Sequence, residues 1–145
     1  MPVHRDLLRR GIVKGLKTTW MLIKIIVPVT LVVVTLDQLN LLMPLATRFA
    51  PLMAPLHLPG EASLALLLGF FINIYAAIGV ITVLPLTARE ITVLAVMILT
   101  SHSLMMEGPI LRFTGLSPVI NTLLRIATAL LFGLIVNLAY TIFGG

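Results

Sequence analysis

The stretch 62-ASLALLLGFFINIYAAIGVITVL-84 decides the fold class, because it is long, apolar and free of charged residues. A helix that spans a membrane needs about 20 mostly apolar residues, and this stretch is long enough. Three other segments are similarly apolar, at residues 19–36, 87–106 and 117–143. The sequence therefore predicts an all-α, polytopic integral membrane bundle of about four hydrophobic segments, with broken or re-entrant helices.

Composition supports an apolar environment for this chain. Of its 145 residues, 59% are hydrophobic and 10% are charged, whereas soluble domains carry about 25% charged residues. Cysteine is absent, which excludes disulfide frameworks, thiolate metal sites and cysteine catalysis. No P-loop, GxSxG or HExxH motif is present. We therefore expect no enzyme activity and no cofactor.

The N-terminus carries half of the basic residues. Five of the ten lie within the first 17 positions: Arg5, Arg9, Arg10, Lys14 and Lys17. Basic residues beside an apolar span hold that side in the cytoplasm and attract anionic lipid. Nucleic acid is not expected as a partner, because binding to it favours interleaved aromatic residues.

The basic N-terminus and the apolar segments also predict the domain organisation and the membrane topology. Residues 1–18 are predicted to form a basic amphipathic cytoplasmic segment, with a disordered basic tail as the alternative, and residues 19–145 a membrane domain. The protein is predicted to be a multi-pass protein of the inner (cytoplasmic) membrane with a cytoplasmic N-terminus. Four spans would place Arg89 inside, Arg48 and Arg112 outside, and both termini in the cytoplasm. A re-entrant hairpin would change that parity.

Residues 41–60 are not predicted to form a straight membrane-spanning helix. Pro44, Pro51, Pro55 and Pro59 punctuate short apolar runs, and each proline removes a backbone donor and crowds the preceding turn. One or two short helical pieces, interfacial or re-entrant, are predicted here.

Asn73 is a polar residue at the centre of the 62–84 segment, with Gly69 and Gly79 on either side. Amide and ionisable groups at membrane depth are costly and are candidates for functional sites. One interpretation is a discontinuous helix whose free backbone groups and amide contact a substrate. The other is a hydrogen bond between closely packed helices. We predict that the helix is interrupted near residues 69–73.

The third and fourth segments supply the other candidate substrate-binding residues, His102, Glu107, Asn121 and Arg125. Glu107 precedes Gly108 and Pro109, which end a helix, while Arg125 lies about 10 Å inside the fourth segment. Four spans would place Glu107 and Arg125 at the same depth in the membrane, which predicts an ion pair between them. This pair is either structural or in contact with ligand. Asn121 is one turn away on the same face. His102 and Glu107 are five residues apart, so no metal site is expected.

The run 69–79, the stretch 101-SHSLMMEGPI-110 and the triplet 115-GLS-117 together resemble the nucleoside recognition, or Gate, domain family. That family includes small membrane proteins similar to spore maturation proteins A and B. Related segments occur in ferrous iron transport protein B and in concentrative nucleoside transporters. The resemblance implies a transport-related prokaryotic membrane protein with broken helices around a polar centre, and Asn73, His102 and Glu107 fall on its motif positions. The iron-transport relatives carry a cysteine that this chain lacks.

The sequence thus favours a membrane transport protein or transporter subunit that takes a small polar ligand. Four spans are few for a transporter built from paired repeats, so a homo-oligomer or a paired sister subunit is expected within the lipid bilayer. The alternative is a non-transporting membrane assembly or scaffold protein whose polar residues only fix helix packing.

Overall fold

The computed structural model describes residues 2–104, 111, 115 and 117–143, and in these residues the chain is helical without strands. The helices are α1 (Pro2–Gln38), α2 (Leu42–Met53), α3 (Ala62–Phe71), α4 (Ile74–Ile81), α5 (Ala88–Ser101) and α6 (Pro118–Phe143), with a 3₁₀ turn at Ala54–Leu56. The all-α prediction is confirmed for this part of the chain.

Among the described residues, two helices, α1 and α6, are long and apolar enough to cross a membrane. Only 6% of the apolar window of α1 and 11% of that of α6 are buried inside the protein. The core helix of a soluble protein would be mostly buried, so these helices expose apolar surface that needs an apolar solvent. Helix α1 continues through residues 18 and 19, and the predicted division there stays a prediction.

Short helical pieces replace a span between residues 41 and 60, as predicted. Helix α2 has Pro51 inside it, and the 3₁₀ turn ends at His57, whose φ is +51°. Gly60 then packs directly against the backbone of Ala46, and a Cβ at Gly60 would lie 2.6 Å from the Ala46 carbonyl carbon. This contact holds the returning chain against α2.

The predicted interruption of the 62–84 segment is confirmed. Helix α3 ends at Phe71 and α4 begins at Ile74. The two halves do not continue in one direction but fold back on each other, so that Gly69 of α3 faces Ala77 of α4. The segment is therefore a helical hairpin, with its tip at residues 71–73, rather than one continuous helix.

Both ends of the hairpin lie at one end of the bundle, around a pocket of about 430 Å³. Asp37, Glu61, Leu84 and Glu90 line this pocket, and we call this region the acidic end. The end of α1, the start of α3, the end of α4 and the start of α5 thus meet there. Glu90 lines the same pocket as Asp37, and the predicted cytoplasmic placement of Arg89 stays a prediction. The four-span count is not confirmed.

The largest core cluster lies between the hairpin, α5 and α6. Its buried members include Leu66, Phe70, Leu94, Met97 and Ile98. Helix α6 contributes only Ala129, Gly133 and Asn137 as buried residues, each four positions from the next. Because these side chains are small or polar, α6 approaches α5 closely, and the rest of α6 stays exposed.

Candidate functional site

Asn73 stands at the hairpin tip as the N-cap of α4. Its backbone is extended, with φ −170° and ψ 166°, and its side-chain Oδ1 accepts a hydrogen bond from Ala76 N at 2.9 Å. Asparagine favours this position because its side chain can satisfy an amide that the first helical turn leaves free. The amide therefore has a local structural role, and it helps to create the interruption.

The hairpin tip still leaves backbone groups free. In the described chain, neither the N–H groups of Ile74 and Tyr75 nor the carbonyls of Phe71 and Ile72 have a hydrogen-bond partner. Helix ends always leave such groups, and they need water, a ligand or another protein group. Phe71 and Ile72 are exposed, and Ile74 and Tyr75 are partly buried, so the tip of the hairpin lies at the surface of the described chain.

The end of α5 packs against this tip. Ser103 N donates to the carbonyl of Gly69 at 3.1 Å, which joins the end of α5 to the last turn of α3. His102 is partly exposed, and its ring Nδ1 lies 3.1 Å from the Leu99 carbonyl. Since a carbonyl can only accept, Nδ1 is the donor in this contact. The predicted site residues Asn73 and His102 thus lie on segments that meet.

Helix α6 reaches the same level through Arg125. Its Nη2 donates to the Thr100 carbonyl at 3.1 Å and its Nε at 3.4 Å, while Ser101 Oγ donates to the Arg125 carbonyl at 2.6 Å. Asn121 is half-buried one turn earlier. Glu107 and Arg112 lie outside the described residues, so the Glu107–Arg125 ion pair stays a prediction.

Two buried serines give a matched test of this junction. Ser101 and Ser63 are 0% and 2% exposed, but Ser63 Oγ has no hydrogen-bond partner. We expect Ser101→Ala to lower the free energy of unfolding by about 1 kcal/mol, the net value of a hydrogen bond. Ser63→Ala should be neutral or slightly stabilising. Thermal unfolding in detergent measures both, and equal losses would contradict the assignment.

A second polar cluster lies near the acidic end and was not predicted from the sequence. Asn137 of α6 is 4% exposed, and its Oδ1 accepts a hydrogen bond from Arg89 Nη2 at 2.5 Å. Its Nδ2 donates to the Pro55 carbonyl at 3.3 Å and lies 2.9 Å from His57 Nδ1. Arg89 Nη2 also reaches Thr141 Oγ1 at 3.0 Å. We call this cluster the Asn137 junction.

The hydrogen-bond roles in the Asn137 junction follow from its donors. Arginine can only donate, so the atom of Asn137 facing Arg89 must be the carbonyl oxygen. Its NH₂ group then faces the Pro55 carbonyl and His57 Nδ1, which must accept. The junction fixes α5, α6 and the turn after α2 to one another. The signal that selected Asn121 and Arg125, a polar residue in an apolar helix, applies equally to Asn137.

Among curated proteins, the chain is similar to one described as the uncharacterized membrane protein YvoD of Bacillus subtilis (strain 168). The two are 35% identical over 130 residues, which make up 90% of this chain and 42% of that relative. The chain therefore spans less than half the length of the curated relative. No protein-family profile matches the chain, and no solved structure matches it. The relative's description, together with the exposed apolar helices α1 and α6, supports a membrane protein with transmembrane helices.

Proposed function

We propose that the chain is a membrane transport unit in which the α3–α4 hairpin enters the bilayer from the acidic end and its tip contacts a small polar solute. Helices α1 and α6 cross the inner membrane, and the basic N-terminus lies in the cytoplasm. The acidic end then faces outward. This topology has a re-entrant hairpin in place of a second span.

The free backbone groups at the hairpin tip are the observation that carries this proposal. Helix α5 runs from the acidic end to the level of the tip and has 14 residues, which correspond to about 20 Å. The tip therefore lies well inside a hydrocarbon layer about 30 Å thick. Irregular backbone at such depth is tolerated only against protein or a water-filled cavity. Broken helices with free termini are the form that solute sites take in transporters.

A second unit is part of the proposal. The match covers 42% of the curated relative, so that relative has room for another unit of this size. We propose that a second copy or a sister chain faces the hairpin tip here and completes the pathway. In its more specific form, the proposal follows the resemblance to the Gate family and takes nucleosides as the solute class.

Thiol labelling distinguishes a solute pathway from a sealed scaffold, because the chain has no native cysteine. Ile72→Cys places a thiol at the tip, and Leu131→Cys places one on the exposed face of α6; both positions are at least half exposed. In membranes, we expect a charged, water-soluble methanethiosulfonate to modify Ile72→Cys at least about tenfold faster, since thiolate chemistry needs water. Equal lack of reaction at both positions would favour the non-transporting scaffold.

Uptake into proteoliposomes tests the solute class. We expect tritiated uridine to enter vesicles that contain the protein faster than protein-free vesicles. Asn73→Ala should reduce this uptake about tenfold, because loss of a capping and hydrogen-bonding amide costs about 1–2 kcal/mol. Uptake that is unchanged by Asn73→Ala would remove the tip from the pathway.

A further inference from the structure

Helix α1 is longer than the thickness of the hydrocarbon layer, so its first half extends beyond the membrane. Helix α1 has 37 residues, which correspond to about 55 Å, whereas a hydrocarbon layer is about 30 Å thick. With Asp37 at the acidic end, a layer of this thickness takes about 20 residues and ends near Lys17, within one turn of Trp20. Lys24 Nζ lies 5.4 Å from the centre of the Trp20 ring, and tryptophan and lysine are typical of this boundary. Residues 2–17 are therefore outside the hydrocarbon.

This outer segment has two different faces. Leu8, Ile12 and Leu16 follow one another at four-residue spacing, and each is more than half exposed. On another side, Arg9, Arg10, Val13, Lys14 and Lys17 line a shallow concave surface together with Asp6. Large apolar side chains at this spacing make a face that favours an apolar partner.

The charge of the segment indicates which partner covers it. The described basic side chains outnumber the single carboxylate of Asp6 by four to one, and the inner leaflet carries anionic lipids that attract such segments. An amphipathic helix with basic and apolar faces lies in the interface, with its apolar side among the acyl chains.

The glycines of the segment allow it to turn toward the membrane. In the described chain, no atom beyond the neighbouring helix backbone lies within 4 Å of the position that a Cβ would occupy at Gly11 or Gly15, so packing does not require glycine at either position. Glycine weakens a helix interior, and Gly15 precedes the membrane boundary at Trp20 by about one turn.

We propose that residues 6–17 fold onto the cytoplasmic surface and bind anionic lipid, with Leu8, Ile12 and Leu16 inserted and Arg10, Lys14 and Lys17 against the headgroups. Gly15 provides the bend. The proposal rests on α1 crossing the bilayer but not on transport, so its failure would leave the Ile72 labelling result unaffected.

Spin labels at Ile12→Cys and Val13→Cys test this proposal in the full chain, reconstituted in lipid nanodiscs that expose both membrane faces. The readouts are collision with oxygen, which concentrates in lipid, and with a water-soluble nickel chelate. In discs of phosphatidylcholine with phosphatidylglycerol, we expect the Ile12 label to be shielded from nickel at least about threefold more than the Val13 label. Discs of phosphatidylcholine alone, or high salt, should abolish this difference.

The triple variant Arg10→Gln/Lys14→Gln/Lys17→Gln should lose the shielding, because three basic residues at about fivefold each change surface binding by about a hundredfold. Arg48→Gln, an exposed arginine outside α1, should leave it unchanged. Nickel access at Ile12 in every lipid would overturn the proposal. So would shielding that persists in the triple variant, or spin–spin broadening that shows pairing with a second copy.

Discussion

Asn137→Leu is expected to lower the free energy of unfolding by about 2–3 kcal/mol, because hydrogen bonds to charged groups are worth about 1.5–3 kcal/mol. The buried Asn137 amide accepts from Arg89 and donates to the Pro55 carbonyl and His57. Leucine would remove these bonds and leave the Pro55 carbonyl without this donor. The Arg89 guanidinium would keep its hydrogen bonds to Thr141 Oγ1 and to the backbone carbonyl of residue 137, which are 3.0 and 3.4 Å long.

Asn121→Leu is the matched control for this experiment. It makes the same change in the same helix, at a half-buried position whose side chain has no hydrogen bond in the described chain. Any general gain from a more apolar helix therefore appears in both variants and cancels in their difference. In a double-mutant cycle, the stability losses of Asn137→Leu and Arg89→Met should not be additive, since the two side chains share a hydrogen bond. Equal melting temperatures for Asn137→Leu and Asn121→Leu would contradict the Asn137 junction.

Gly60→Ala is expected to destabilise the fold by about 3 kcal/mol or more, at the upper end of overpacking costs. The added methyl would meet the carbonyl of Ala46, and it would lie within 2.6 Å of that carbonyl carbon. Backbone atoms cannot move aside as a flexible side chain can, so the contact between α2 and the start of α3 would open.

Gly11→Ala makes the same chemical change at a position where no described atom beyond the neighbouring helix backbone lies within 4 Å of the added methyl. It should stabilise α1 by up to about 1 kcal/mol, the difference between alanine and glycine in a helix. The two variants are therefore expected to shift the melting temperature in opposite directions. A Gly60→Ala protein as stable as the parent would show that the chain does not pack against α2 as described.

Local sequence signals predicted much of the secondary structure. Asn73 between two glycines predicted the break that the structure places between Phe71 and Ile74. The predicted segment 117–143 matches α6, which begins at Pro118 and in which Ile120 N donates to Ser117 Oγ at 3.5 Å. These features depend on capping and proline geometry, which act over a few residues.

Such local signals could not predict whether the chain reverses its direction at a break. A break at Asn73 is compatible with a kinked crossing or with a hairpin, and only contacts such as Gly69 with Ala77 distinguish the two. The Asn137 junction depends on the same information, because Arg89 and His57 are 48 and 80 residues from Asn137 along the chain. Apolar segments alone do not specify which helices meet.

The 62–84 segment is proposed to enter and leave the membrane on one side. Single cysteines at Val13, Glu61 and Ala88 test this topology directly, since the parent chain has none. Labelling of intact cells and of inverted vesicles with an impermeant maleimide reports the side of each thiol.

We predict that Glu61→Cys and Ala88→Cys are labelled from the same, outer side, and that Val13→Cys is labelled only from the cytoplasmic side. Glu61 and Glu90 line one pocket with Asp37, so a re-entrant hairpin allows no other result once α1 crosses. Ala88→Cys labelled from the cytoplasmic side, with Glu61→Cys on the outer side, would mean that the segment crosses the membrane and would contradict the hairpin.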